Sequence, residues 1–277
     1  MTGEGGVAGS GMTTVDDIKR TPMGINWIGL GTIVRREVSR IMRVPIQAFI
    51  APWISALLFI FIFGFVLGGR IKEIGGHRYL EFVLPGILMM NIINAAFLQS
   101  TSAIYFQRFL RFIEETLVAP LSYVEMIVGM LACVIIRSIA TALGILVIGA
   151  CFGVTSVGNI LEFLFWVTAV SLIFGLLGII IGLWAKNFEQ LNILNVFFIV
   201  PMSMVGGVFS TIDMLPPYLR FLAYGNPFFY WINGLRHAMI GFHEGPAGVG
   251  LILTLGLIVV LGATTLRLYA TGYGLRE

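Results

Sequence analysis

Six apolar stretches, each long enough to cross a bilayer as a helix, fill most of this chain from Ile46 onward. They run roughly from Ile46 to Gly68, Tyr79 to Tyr105, Val124 to Phe152, Ile160 to Ala185, Leu191 to Ile212 and Leu251 to Tyr269. A hydrocarbon core of about 30 Å takes about 20 helical residues to span. Composition points the same way: 58% of the 277 residues are hydrophobic and only 11% are charged. A soluble domain carries about 25% charged residues to keep its surface hydrated, so a greasy soluble core is excluded. The expected fold is an all-α integral membrane protein of six transmembrane helices. After a flexible cytoplasmic tail over residues 1–22, one transmembrane domain is expected over 23–277.

The pieces between the spans are less regular. From Asn26 to Arg43, Trp27, Leu30, Val34, Val38 and Ile41 recur at three- and four-residue steps, while Arg36, Arg40 and Arg43 fall on another face. That spacing predicts an N-terminal amphipathic interface helix with basic residues set to meet anionic head groups, and Pro45 fits a turn into the first span. Between the second and third spans, Phe106, Phe109, Leu110, Ile113 and Leu117 share one helical face and Arg108, Arg111 and Glu115 another. A short cytoplasmic helix with fixed charges of both signs is a docking surface, or it simply anchors two span ends. The stretch Met214 to His243 is apolar but interrupted by Pro216, Pro217, Gly225, Pro227 and Gly234. Two short helices forming a re-entrant hairpin fit those breaks better than a straight span.

Lys19, Arg20, Arg35, Arg36, Arg40, Arg43, Arg108, Arg111, Lys186, Arg267 and Arg276 collect on the side of the N-terminus, against Arg70, Lys72, Arg78, Arg220 and Arg236 on the other. The excess of basic residues near span ends marks the cytoplasmic side, so both termini are expected there. Gly64 with Gly68, Gly149 with Gly153, and Gly178 with Gly182 give small-xxx-small steps that predict close helix packing and self-association.

Chemistry-bearing motifs are scarce. None of Lys19, Lys72 and Lys186 lies in a phosphate-binding G-x-x-x-x-G-K-[ST] loop, and no H-E-x-x-H or G-x-S-x-G occurs. The chain is therefore not expected to be an enzyme. Cys133 and Cys151 sit in apolar runs and read as buried small hydrophobes, and His77, His237 and His243 form no ligand cluster. Arg137 stands about thirteen residues into the third span. It reads as a structural arginine satisfied by helix carbonyls or snorkelling, with a polar contact in the bundle or along a path as the functional alternative.

The run RFIEETLVAPLSYVEMIVGMLACVIIRSI, Arg111 to Ile139, resembles the start of the second half of permease subunits of type-2 ABC exporters. Leu215-Pro216, Asn226-Pro227 and Gly234-Leu235-Arg236 follow in the order of that family's signature after its fifth span. The likeness covers roughly residues 26 to 270, and its specificity lies in the joint order of short motifs on a six-span frame. It implies an interface helix, a coupling helix in the first cytoplasmic loop and a re-entrant pair before the last span. It implies two permease protomers, as a homodimer, paired with two ABC ATPase subunits that hold the ATP and Mg²⁺, with no cofactor in this chain. Carried over, Arg108, Arg111, Glu114, Glu115 and Thr116 meet the ATPase, and Pro216, Pro217, Asn226, Pro227 and Arg236 shape an outer gate. One departure stands out: the glycine often found after the charged start of the coupling segment is replaced here by Phe112 and Ile113.

The expected activity is ATP-driven export across the plasma or inner membrane. Phe59, Phe61, Phe63 and Phe65 in the first span, and Phe197, Phe198, Met202 and Met204 in the fifth, suit an amphiphilic cargo if they line the path: a lipid, a lipid-linked polysaccharide or a drug-like molecule. They equally suit contact with lipid or neighbouring helices. An ion-gradient-driven secondary transporter is the first alternative, opposed by the scarcity of carboxylates within the spans. A membrane-embedded enzyme or scaffold is the second.

Overall fold

The computed structural model describes residues 26–69, 73–110, 112, 121–154, 157–214, 216–245 and 247–274. Among them the chain is helical apart from one two-stranded ribbon. Helix α1, Trp27–Met42, starts where Asn26 accepts a hydrogen bond from the Gly29 amide through its side chain. Helix α2, Ala51–Phe61, is extended by π-helical turns at Ile46–Ile50 and Ile62–Leu67. Strands β1, Glu73–Ile74, and β2, His77–Arg78, pair antiparallel across Gly75 and Gly76, both with positive φ (58° and 81°). Two successive residues in that region are what a tight hairpin turn demands, and glycine supplies them without strain.

Helices α3, Tyr79–Phe109, α4, Tyr123–Cys151, and α5, Ile160–Trp184, form the centre of the bundle. Helix α6, Gln190–Val205, is shorter and carries a π-helical turn at Asn195–Ile199. Helices α7, Pro217–Tyr224, and α8, Pro227–Ile240, follow as a broken pair, and α9, Ala247–Thr271, closes the chain. Among the described residues five segments are long and apolar enough to cross a membrane: the first span, α3, α4, α5 and the last helix. At about 1.5 Å per residue the 16-residue α6 reaches only about 24 Å, because Gly206 and Gly207 end it; Gly207 takes φ 88°. The expected fifth span is thus present as a helix but stops short.

The core runs along α3, buried almost continuously from Phe82 to Ile104. Close approach there depends on glycine: a β-carbon on Gly178 would stand 2.7 Å from the Phe97 carbonyl oxygen, and one on Gly182 2.9 Å from that of Thr101. The expected Gly178/Gly182 stripe is therefore the α3–α5 contact itself, while Gly153 faces open space. Helices α2 and α9 turn apolar residues such as Leu58, Phe61, Ile252 and Val259 outward. Buried Thr101, Ser171, Ser203 and Thr254 each donate to the carbonyl four residues earlier in their own helix, which satisfies a hydroxyl where no water reaches.

Helix α1 lies along one face of the bundle with the ends of α3, α5 and α9 and the start of α4. The Asn26 amide donates to Glu125 at 2.6 Å, and Gly274 packs against Leu183. The first and last described residues therefore share a face. Helix α1 buries Ile33, Glu37 and Ile41 and leaves Trp27 exposed, so its inward stripe includes a carboxylate and omits the tryptophan expected there.

Candidate functional site

A cavity of about 650 Å³ opens beside α1 and reaches Arg137, midway along α4. Its walls come from the end of α1, the first π-helical turn, the second half of α3 and the start of α6. Polar groups are contributed by Arg40, Arg43, Gln47, Gln99, Thr101, Ser102, Arg137 and Asn192, and apolar ones by Ile41, Val44, Leu98, Phe106, Phe188 and Leu191 among others. Arg137 Nη1 donates to the Gln99 side-chain oxygen at 2.6 Å, and its Nε is buried with no partner among the described residues. Arg40 is held differently, with Nε donating to Glu37 at 3.0 Å and Nη2 2.8 Å from the same carboxylate oxygen. Glu37 also accepts from Gln107 at 3.0 Å, which fixes α1 to the end of α3.

At the opposite face the broken pair meets α3 and α5. Helix α8 runs antiparallel to the first half of α5: Phe228 and Trp231 pack on Phe174, Gly234 on Trp166, and the Asn159 amide donates to the Ala238 carbonyl. The break at Gly225–Asn226 consequently lies level with the middle of α5, with chain on both sides rising to the same face. Asn226 caps α8 by accepting from the Phe228 amide and donates through Nδ2 to the Met202 carbonyl at 2.7 Å; Pro227 occupies the first turn, where its missing N–H costs nothing. Pro216 stands just before α7 and Pro217 at its start.

Arg236 is wholly buried in this corner. It donates to the carbonyls of Phe82 (3.2 Å) and Gly207 (2.7 Å) and lies 3.7 Å over the Phe82 ring. His237 Nδ1 is 2.9 Å from Glu162 in the first turn of α5, and the Asn233 amide bonds the Glu244 carbonyl. Burial holds the Glu244 carboxyl above its ordinary value, with Asp213 adding to the effect and Arg236 and the Ile212 amide opposing it.

The sequence model of the ABC-2 type transporter family matches residues 29–240. The chain belongs to that family. It is 31% identical over 238 residues to the inner membrane transport permease YadH of Escherichia coli K12, covering 86% of this chain and 91% of the relative. It is also 23% identical to nodulation protein J of Rhizobium leguminosarum bv. trifolii, over 82% of this chain and 86% of that one, and 21% identical to the protein of the same name from Sinorhizobium fredii, over 78% and 81%. This is therefore an ABC-2 permease, a transporter membrane subunit.

In this permease Arg108 is turned inward. Its Nη1 donates to the carbonyls of Gly182, Leu183 and Ala185 at 2.9, 2.7 and 3.1 Å, serving groups that the end of α5 leaves without helical partners. Arg111, Glu114, Glu115 and Thr116 lie outside the described residues. Pro216 and Pro217 open α7 and Asn226 and Pro227 open α8, whereas Arg236, later in α8, fastens backbone. Arg137 bonds a side chain on α3 where a helix carbonyl was expected. Phe59 and Phe63 stack on Phe209, the latter at 3.8 Å, and Phe197 is exposed; none of the three lines the cavity. Cys133 is buried as expected, whereas Cys151, the last residue of α4, is exposed. Glu37 and Gln99 went unrecognised as site residues. Glu37 carried a faint signal, a lone carboxylate among the arginines of an amphipathic helix, and Gln99 carried none.

Proposed function

We propose that this permease is the transmembrane subunit of an ATP-driven exporter that moves an amphiphilic cargo out of the cytoplasm. The observation that carries the reading is the cavity beside α1, lined by both basic and apolar side chains, in a chain of the ABC-2 family that has no nucleotide-binding loop of its own. Two copies pair as a homodimer in the inner membrane, each engaging a separate ABC ATPase that holds ATP and Mg²⁺. The α1 face is cytoplasmic, which puts both termini inside. Helix α6 crosses with the help of the Gly206–Phe209 turn, giving six spans, and α7 with α8 is the re-entrant hairpin at the outer gate.

Coupling runs through the segment after α3. Arg111, Glu114, Glu115 and Thr116 meet the ATPase, and Arg108 passes a displacement of the α3 end to the end of α5 through its three carbonyl contacts. Closure of the ATPases biases the bundle between two arrangements. An ion-driven carrier would use carboxylates deep in the spans, whereas Glu81, Glu125 and Glu162 each occupy the first turn of their helix.

The test is copurification with a co-expressed ABC ATPase in mild detergent, followed by ATPase and efflux assays of Glu114→Ala with Glu115→Ala. The double variant is expected to insert normally, lose permease-stimulated ATP hydrolysis and lose efflux. Full efflux by the stable double variant, or transport that persists without ATP and collapses with an ion gradient, would overturn the reading.

A further inference from the structure

We propose that the cavity beside α1 binds the anionic head group of an amphiphile, with Arg137 as the deep contact and Arg43 at the mouth. Among the described residues three guanidinium groups line this cavity, those of Arg40, Arg43 and Arg137, and no carboxylate does. Arg40 already has a counterion in Glu37. Arg137 does not: among the described residues its bond is to the neutral amide of Gln99, and its Nε has no acceptor. A cation midway along a membrane span is costly unless it is paired and hydrogen-bonded, and a neutral amide leaves the charge uncompensated. The group that would complete the site is an anion with two or more oxygens, since a guanidinium fork matches carboxylate or phosphate through parallel bonds.

Size and lining decide between a small anion and an amphiphile. A cavity of about 650 Å³ falls in the range that takes drug-sized molecules and is far larger than inorganic phosphate needs. Leu98, Phe106, Phe188 and Leu191 line the same cavity as the charged groups, which suits an alkyl chain attached to the anion. The mouth lies at the end of α1, where exposed basic residues raise the local concentration of anionic amphiphiles. The inference deepens the exporter reading by naming the cargo's charge, and calling the ligand cargo rests on that reading; binding itself does not.

The experiment uses the permease in phosphatidylcholine nanodiscs with Cys151→Ser and a reporter, Ser102→Cys, in the cavity wall. Labelling of the reporter by a maleimide is followed against dodecyl phosphate, dodecyl maltoside, dodecyltrimethylammonium and inorganic phosphate. Dodecyl phosphate is expected to protect the reporter, and its half-protecting concentration should rise roughly tenfold or more in Arg137→Gln, the loss expected for one charge-assisted bond. Arg137→Lys should retain part of the protection. Equal protection by the maltoside or the ammonium compound would overturn the anion, and equal protection by inorganic phosphate would overturn the amphiphile. Unchanged protection in Arg137→Gln would overturn the assignment of Arg137. If that variant fails to fold, Arg43→Gln decides, because Arg43 is exposed; no rise there would sink the proposal. No ATPase is present, so failure here with intact ATP-driven efflux rejects the head-group site alone. Protection without ATPase association rejects the exporter reading instead.

Discussion

One arginine ties the broken pair to two separate parts of the bundle at once. Arg236 supplies donors to two backbone carbonyls from different parts of the chain, Phe82 in α3 and Gly207 after α6. Arg236→Met keeps the apolar stem and strands both oxygens, so it is expected to destabilise by about 1–3 kcal/mol, read as a lower unfolding temperature in detergent. Arg236→Lys should fall between, because one ammonium is a poor replacement for a rigid fork. Unchanged stability with lost transport would instead assign Arg236 to gating. Glu244, near Arg236, His237 and His243, makes a prediction in pH. Its folded value lies above the ordinary 4.5, so the folded chain holds this proton more tightly than the unfolded one. The stabilisation is fully present below pH 4.5 and is lost as pH rises through the folded value. Glu244→Gln should flatten the dependence of unfolding temperature on pH above 4.5; an unaltered slope would assign the titration to another group.

Among the helices, the α3–α5 seam is the contact least able to accept bulk. Gly178→Leu must push backbone rather than a flexible side-chain tip, since the Phe97 carbonyl stands where the new β-carbon would go. The expected loss is about 1–3 kcal/mol or more, seen as lower yield and earlier unfolding, whereas Gly256→Leu meets open space on α9 and should change little. This seam was legible in the sequence because glycines four apart align on one helical face. Helix ends other than that of α6 were legible too, within a few residues, because the apolar runs stop at polar or turn-forming residues. The break at Asn226-Pro227 announced itself through proline. What the sequence withheld were the pairings. Arg137 and Gln99 are 38 residues apart, His237 and Glu162 are 75 apart, and no local period records which two helices will face each other. The shortness of α6 was hidden as well, since apolar residues continue past Gly207 although the helix does not.

For the whole molecule the crossing of α6 is the point on which topology turns. If six segments cross, Asn187→Cys before α6 and Ser210→Cys after it label from opposite sides of sealed vesicles with an impermeant maleimide. Labelling of both from one side would leave five crossings and put the two chain ends on opposite sides. The π-helical turns bear on the same helices. Two of the three described turns lie just before a proline, Ile46–Ile50 before Pro52 and Asn195–Ile199 before Pro201, and the third, Ile62–Leu67, does not. A proline ring has no N–H to donate and crowds the carbonyl four residues back, so the helix widens there. Gln47 and Ala48 on one side of the cavity mouth, and Leu191 and Asn192 on another, all precede those prolines. In mechanical terms the central helices α3, α4 and α5 are flanked by two notched ones, the first span and α6, and α3 carries a proline of its own at Pro85. A load applied at the mouth is expected to be taken up as bending at those notches, so the opening should widen or narrow by flexing there.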